Sequence, residues 1–299
     1  MRRTGYKVRM QTPPRLFDRA LFRQRLLRAY RQGPIDFLLA RAADDLADRL
    51  SVLTRSFPRA LDFATPGPHG AEVLATCGRC ERVFRASPLA LAHGFGPWQT
   101  VLCEASLVPF APQSLDLITT LLALQHIDDL PGTLVQLRRA LKPDGLLLGA
   151  MLGGETLHEL RMVMTEAEAL CEGGASPHVA PFADLRDVGG LLQRAGFALP
   201  VTDCDHVTVR YDTLFDLVHD LRGMAASNPL LARRKTPLQK KTLIEAARLY
   251  SEKFSDPDGR IRATFDLIWF SGWSPHPDQQ KPLKPGSAQI RLADALKAK

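Results

Sequence analysis

The sequence predicts an α/β fold: a doubly wound, mostly parallel sheet of seven strands, with helices ahead of it and a helical cap inserted before its last strand. Three observations predict it. An apolar run at residues 115–120, a helix with Leu134, Leu137 and Leu141 on one face, the turn Lys142-Pro143-Asp144-Gly145 and a second run at 146–151 make one half of a parallel sheet. Upstream, short apolar runs alternate with helical spacing in the same rhythm. Downstream, a polar helical stretch separates two further strand-like runs.

Residues 15–50 carry apolar side chains at three- and four-residue spacing, broken at Gly33 and Pro34, which predicts two helices. Leu16, Phe17, Leu21, Phe22, Leu26 and Leu27 give the first of them an apolar face suited to docking on the body of the protein. Strands follow at 59–64, 81–85 and 100–103, with a helix opening at Ala71 between the first two. Beyond the fifth strand, a helix over 185–195 turns Leu185, Val188, Leu191 and Leu192 inward. Residues 207–211 alternate like a strand with one exposed face, and 263–270 read as a buried strand. The expected organisation is a helical segment at 1–50, a core at 51–211, a helical cap at 212–260 and a closing segment at 261–299. In such a sheet, ligands sit at the carboxyl ends of the strands.

Composition narrows the classes. A chain of 299 residues that is 45% hydrophobic can bury a large core. It holds no run of 18 apolar residues, so no spanning helix is expected, and its N-terminus lacks a secretory core. A cytoplasmic address is expected for a bacterial chain. In a eukaryotic one, the arginine-rich residues 1–31 suit a transit segment to the mitochondrial matrix, although their apolar positions fit the docking helix. The net charge of +7 is spread over basic clusters without interleaved aromatics, so no nucleic acid is expected as a partner. Five cysteines give no disulfide framework, and Cys77-x-x-Cys80 lacks a second ligand pair at zinc spacing. No metal is expected.

The segment VPFAPQSLDLITTLLALQHIDDLPGTLVQLRRALKPDGLLLGAML resembles the class I S-adenosylmethionine (SAM)-dependent methyltransferases. The resemblance implies their Rossmann-like sheet and SAM as cofactor. Such a site asks for glycines after the first strand, an acid after the second for the ribose, and a polar group after the third for the adenine. Here the first strand ends in Asp62, which matches, but Ala64, Pro66 and Pro68 stand at the glycine positions. Each proline removes an N–H that a cofactor carboxylate would use, while Gly67 and Gly70 leave room for close approach. Arg85 stands where the ribose acid belongs, a choice that would favour a 2′-phosphate as in NADP enzymes. Glu104 matches the adenine acid. Residues 124–132, Leu-Gln-His-Ile-Asp-Asp-Leu-Pro-Gly, resemble the family's Leu-His-Trp-Val-Asn-Asp-Leu-Pro-Gly. Gln125 therefore joins the implied cofactor set of Asp62, Ala64, Gly67, Gly70, Arg85 and Glu104, and His126 is a candidate base or ligand-lining residue.

The blocks at 153–205, 209–228 and 256–288 resemble the bacterial relatives of mitochondrial complex I assembly factor 5, an arginine hydroxylase. That group lies beside the malonyl carrier-protein O-methyltransferases of biotin synthesis. The resemblance implies a protein arginine or a carrier-bound acid as substrate, and a respiratory complex I subunit as partner. Glu155 and Glu159, four apart on a short helix with Arg161, offer two carboxylates for a guanidinium, which makes Glu155 a second catalytic candidate. Ser176, Pro177, His178, Asp184, Arg186, Arg222, Asn228, Trp269, Trp273 and His276 share these blocks as candidate substrate-face residues. Three readings stay open: a SAM-dependent enzyme of this group, a noncatalytic assembly or chaperone protein that keeps the fold, and an NADP-type oxidoreductase.

Overall fold

In the computed structural model, residues 15–89 and 96–279 are described. Helix α1 (Arg19–Gln32) begins at Asp18, whose carboxylate accepts from the Leu21 N–H, and ends at Gly33 with φ 89°. Pro34 then blocks any continuation. Helix α2 (Phe37–Ser51) lays Leu39, Ala42, Ala43, Leu46 and Leu50 along one buried strip. There follow β1 (Phe57–Phe63), α3 (His69–Thr76), β2 (Cys80–Ser87), β3 (Gln99–Leu102), β4 (Leu115–Leu121), a 3-10 turn at Leu124–His126, α4 (Leu130–Ala140) and β5 (Leu141–Leu152). The chain continues through α5 (His158–Glu172), α6 (Leu185–Arg194), β6 (Ala198–Tyr211), α7 (Leu214–Gly223), α8 (Lys240–Phe254) and β7 (Ile261–Trp273).

The seven strands form one sheet in the order β3-β2-β1-β4-β5-β7-β6. Strands β1 to β5 run parallel, and β7 is antiparallel to both β5 and β6. The order reverses between β1 and β4, and a crevice opens there above the strand ends. Helices α4 and α6 cover one part of the core through Leu134, Leu137, Val188 and Leu192. Helices α2 and α3 cover another through Leu46 and Leu74, and α5 and α8 meet β7 through Val163, Leu249 and Phe265.

Three elements differ from the sequence reading. Helix α5 is 15 residues long and starts only after Leu157, which takes a left-handed φ of 55°, so Glu155 lies outside it. Leu141, read as the end of a helical stripe, opens β5, because its backbone is extended and pairs with Leu115. Strand β6 reaches back to Ala198, since β7 offers it a pairing edge as far as Trp273.

The apolar face of α1 does dock. Leu16 and Phe17 donate their N–H groups to Asp128 Oδ1 at 2.8 and 3.0 Å. The Asp18 N–H bonds the Pro229 carbonyl at 2.8 Å, and Leu231 N–H bonds that of Leu16. The start of α1 is thereby stitched between the segment after β4 and the segment after α7, and the helix lies across the crevice. Residues 1–14 of the arginine-rich stretch lie outside the described residues.

Candidate active site

Two cavities adjoin beneath α1, one of about 500 Å3 and one of about 290 Å3, and Phe22, Leu26, Pro66 and His126 line both. The larger is closed by α1, α2, the loop after β1, Leu122 and Gln125 after β4, Phe182 and the end of α7. The smaller lies between α1, Ala64, the segment after β3 and Ile127. Volumes of this size suit a small-molecule ligand.

His126 stands where the cavities meet. Its ring lies 5.1 Å from Phe22 and 5.5 Å from Phe17, centroid to centroid. Burial among them lowers its pKa to about 4, so the ring is neutral at physiological pH. Its Nδ1 is buried and has no hydrogen-bond partner among the described residues. Beside it, Gln125 Nε2 donates to the Leu122 carbonyl at 2.7 Å, while Gln125 Oε1 is buried and unpartnered. Two such atoms against one cleft leave a polar demand that the protein does not meet.

The loop after β1 is shaped by what lies under it. Ala64 holds φ 59°, a left-handed backbone that ordinarily selects glycine, and its N–H reaches the Ala86 carbonyl at 2.8 Å. Asp62 is fully buried below, where its carboxylate accepts from the Thr65 hydroxyl and the Ala71 N–H. Burial outweighs these donors and Arg85 and raises its carboxyl to about 7. Gly70 is required by this contact, because a Cβ there would stand 2.3 Å from Asp62 Oδ1. Gly67 lines the larger cavity, and the Tyr30 hydroxyl donates to the Pro66 carbonyl at 2.6 Å, tying α1 to the loop.

The expected residues separate into two groups. Ala64 and Glu104 line the smaller cavity, Gly67 and Gln125 the larger, and His126 both. Glu104 is 63% exposed and faces Arg19 at 3.4 Å. Asp62 and Gly70 lie beneath the loop and line neither cavity. Arg85 departs from its expectation. It is 3% exposed, and its Nη2 donates to the carbonyls of Thr65 at 3.3 Å and Gly67 at 2.8 Å. Its guanidinium props the loop from below and lines neither cavity, so it is not presented to a ribose or a 2′-phosphate.

Glu155 and Glu159 do not form a carboxylate pair. The Glu155 side chain is 69% exposed and outside both cavities, whereas Glu159 is buried and accepts from Thr264 N–H and Oγ1 at 3.2 and 2.5 Å. Four of the other candidates have structural roles. Ser176 and His178 surround buried Glu168, Asp184 caps α6, and Trp269 is buried under the Arg49 guanidinium. Residues that the sequence reading did not single out line the larger cavity instead: Tyr30, Asp36, Glu72 and Phe182. The apolar stripe of α1 was the available signal for the first of them.

A family profile described as a methyltransferase domain matches residues 37–200. The chain belongs to the methyltransferase-domain family. Within it, the arginine-hydroxylase NDUFAF5, mitochondrial, of Danio rerio is 39% identical over 267 residues, spanning 88% of this chain and 83% of that protein. Its Homo sapiens counterpart is 36% identical over 97% of this chain and 87% of its own length. A malonyl-[acyl-carrier protein] O-methyltransferase of Halorhodospira halophila is 30% identical over 82% of this chain and 84% of its own length. Relatives of both kinds named by the sequence resemblance therefore match. The YcgJ protein from Bacillus subtilis, 15% identical, shares the fold over 79% of this chain and 99% of its own, with a TM-score of 0.53.

SAM is the cofactor that the sequence resemblance implies. The described residues fit it unevenly. The adjoining cavities and the unpartnered atoms of Gln125 and His126 suit a ligand with apolar and polar parts. At the end of β2 the fit fails, because Arg85 supplies no acceptor for a ribose diol and is turned away.

Proposed function

We propose that the protein is a SAM-dependent enzyme that modifies an arginine of a protein substrate. The observation that carries this reading is the charge of the larger cavity. Its lining includes Asp36, Glu72 and His69, and no lysine or arginine among the described residues. A guanidinium entering here meets carboxylates. A malonyl carboxylate would meet charge of its own sign and no cation, so the carrier-bound acid is the poorer fit.

In this reading Glu104 in the smaller cavity would hold the adenine end of SAM, and the Gly67 loop and Gln125 in the larger would hold its methionine end. SAM supplies an activated sulfonium carbon when bound. Tyr30 and Phe22 exclude water by holding α1 over the cleft, and neutral His126 offers Nδ1 as a proton acceptor where the two ligands meet. No protein nucleophile is required, because transfer from a sulfonium depends on in-line positioning. A respiratory complex I subunit is the proposed partner, in the mitochondrial matrix if the source is eukaryotic. No described helix is long and apolar enough to cross a membrane.

A noncatalytic assembly protein is the second reading, favoured by the turned-in Arg85 and the prolines of the loop. An NADP role has no support from Arg85, whose donors are taken by loop carbonyls. The deciding experiment incubates the protein with SAM and either arginine peptides of complex I subunits or a malonyl carrier protein, followed by mass spectrometry. A SAM-dependent gain of one methyl group on the peptide arginine supports the proposal. A gain on the malonyl carrier alone replaces the substrate. Absence of SAM binding by calorimetry leaves the assembly role, to be followed by pull-down of complex I subunits.

A further inference from the structure

On β6, side chains alternate between the two faces of the sheet. Asp203 and Asp205 turn toward α2, where Arg49 and Arg41 take them at 2.5 and 2.8 Å. Cys204 and His206 therefore share the opposite face. His206 stands directly across from Asp266 of β7 in the antiparallel register. As a result Cys204, His206 and Asp266 each present a sulfur, nitrogen or oxygen atom within 4.8 Å of the others.

Asp266 is the fixed point of the group. It is buried, its Oδ2 accepts from the Glu155 N–H at 3.1 Å, and its Oδ1 lies 2.6 Å from His206 Nδ1. Its backbone carbonyl also accepts from the Gly153 N–H at 2.9 Å. His206 is the adaptable member, 67% exposed and able to turn toward solvent. A simple histidine–aspartate pair at the surface makes no use of a thiol on the same side.

We propose that Cys204, His206 and Asp266 form a binding site for a divalent d-block cation of the zinc type, outside the cofactor cleft. None of the three lines either cavity. A thiolate, an imidazole and a carboxylate are the donors that zinc takes at roughly 2.0 to 2.3 Å, which places them roughly 3.3 to 3.8 Å apart around a tetrahedral ion. The three donor atoms lie within 4.8 Å of one another, and His206 Nδ1 and Asp266 Oδ1, now 2.6 Å apart, would part to admit the ion between them. The ion would take the place of the hydrogen bond between His206 and Asp266 and of the proton of the Cys204 thiol. The Glu155 N–H holds the second carboxylate oxygen and orients the first, as outer-shell partners do in metal sites. The sulfur and nitrogen donors select against magnesium and calcium. With three protein ligands, one position stays open to water. Through the Gly153 and Glu155 N–H groups, the ion would brace the loop that carries Leu152 and Leu157 into the larger cavity.

The test is a cobalt titration of the full chain under reducing conditions, read by thiolate-to-cobalt charge-transfer absorption and by competition with zinc. One equivalent is expected to bind with that absorption and to be displaced by zinc. Cys204→Ser should abolish the absorption, His206→Ala should weaken affinity at least tenfold, and Cys77→Ser should change neither. Both tested side chains lie on the outer strand of the sheet, and circular dichroism of each variant confirms that it is folded. Absence of thiolate absorption in the parent protein, its persistence in Cys204→Ser, a loss below tenfold in His206→Ala, or its loss in Cys77→Ser overturns the site.

Discussion

Arg85 Nε lies 3.6 Å from Asp62 Oδ2 beneath the loop that follows β1, and the two residues are register partners on neighbouring parallel strands. The contact is ionic in reach but too long for a hydrogen bond, and both of these atoms lack other partners among the described residues. It explains an arginine where a ribose acid is expected in this fold. The guanidinium offsets Asp62 from below and uses its outer nitrogen to hold the carbonyls of Thr65 and Gly67. A loop rebuilt with prolines has fewer N–H groups to fix it, and Arg85 fixes it through its carbonyls.

Arg85→Met keeps the length and removes the charge. It leaves Asp62 buried with no cation and two loop carbonyls with no donor, which costs about 3 to 5 kcal/mol. Urea unfolding followed by circular dichroism measures the loss. Adding Asp62→Asn should restore part of it, because the unpaired acid is then gone. A loss below about 1 kcal/mol means that Arg85 is not what holds the loop.

Ala64 keeps a glycine's backbone without a glycine's freedom, at φ 59°. The left-handed conformation costs an ordinary residue about 1 to 2 kcal/mol, and glycine recovers this at the expense of a more flexible unfolded chain. Ala64→Gly is expected to stabilise the fold by about 0.5 to 1 kcal/mol. Thermal unfolding of the variant below that of the parent would remove strain from the account of this loop.

The fold was legible because the periodicity of its strands and helices is strong. The β4–α4–β5 unit and the apolar stripe of α6 follow from residue spacing, whereas the residues read as a Pro-Asp-Gly turn lie inside β5 as an irregularity in its pairing, with Asp144 at φ 63°. The site was legible only in part. Spacing places Arg85 at a strand end, but whether its side chain reaches outward or folds under the loop depends on Asp62, which is 23 positions earlier and adjacent only in the sheet. Glu155 and Glu159 fail to pair for a local reason: left-handed Leu157 delays α5, so their four-residue spacing never becomes a helix face. Asp36 and Glu72 were invisible as a pair, since the gap after α1 and the first turn of α3 meet only through the closed cleft.

His126 ties stability to pH. Its folded pKa of about 4 lies below the ordinary value of 6.5 because burial disfavours the charged ring. Between those values the unfolded chain takes up a proton that the folded one does not, so stability is full above pH 6.5 and falls as pH drops toward 4. The expected loss from this group is about 3 kcal/mol across that window. Urea midpoints of the parent and of His126→Phe, compared at several pH values, isolate it. A parent and variant with the same acid sensitivity would show that His126 is not the group responsible.

Glu104 joins the smaller cavity while remaining largely in solvent, and its contact with Arg19 is a surface pair of little worth to folding. Glu104→Ala should therefore leave the unfolding midpoint in place and weaken SAM binding about tenfold, the effect of losing one polar contact. Calorimetry on folded variant measures it. An unchanged dissociation constant would take Glu104 out of the adenine position.

Asp36 and Glu72 supply the final prediction, because the choice of an arginine substrate rests on them. Both are exposed at the larger cavity, and Asp36 Oδ2 lies 3.1 Å from His69 Nε2. Carboxylates so placed act on an incoming guanidinium through water, where an ion pair is weak singly and screened by salt. Two together should still set the affinity for a cationic substrate without touching SAM. The double variant Asp36→Asn, Glu72→Gln is expected to raise KM for an arginine peptide about tenfold, the size of two modest ionic contacts, with kcat and the SAM dissociation constant nearly unchanged. The parent's KM should rise with ionic strength, and the variant's should not. If KM and its salt dependence survive both substitutions, the guanidinium enters elsewhere, and the electrostatic argument for an arginine substrate fails with it.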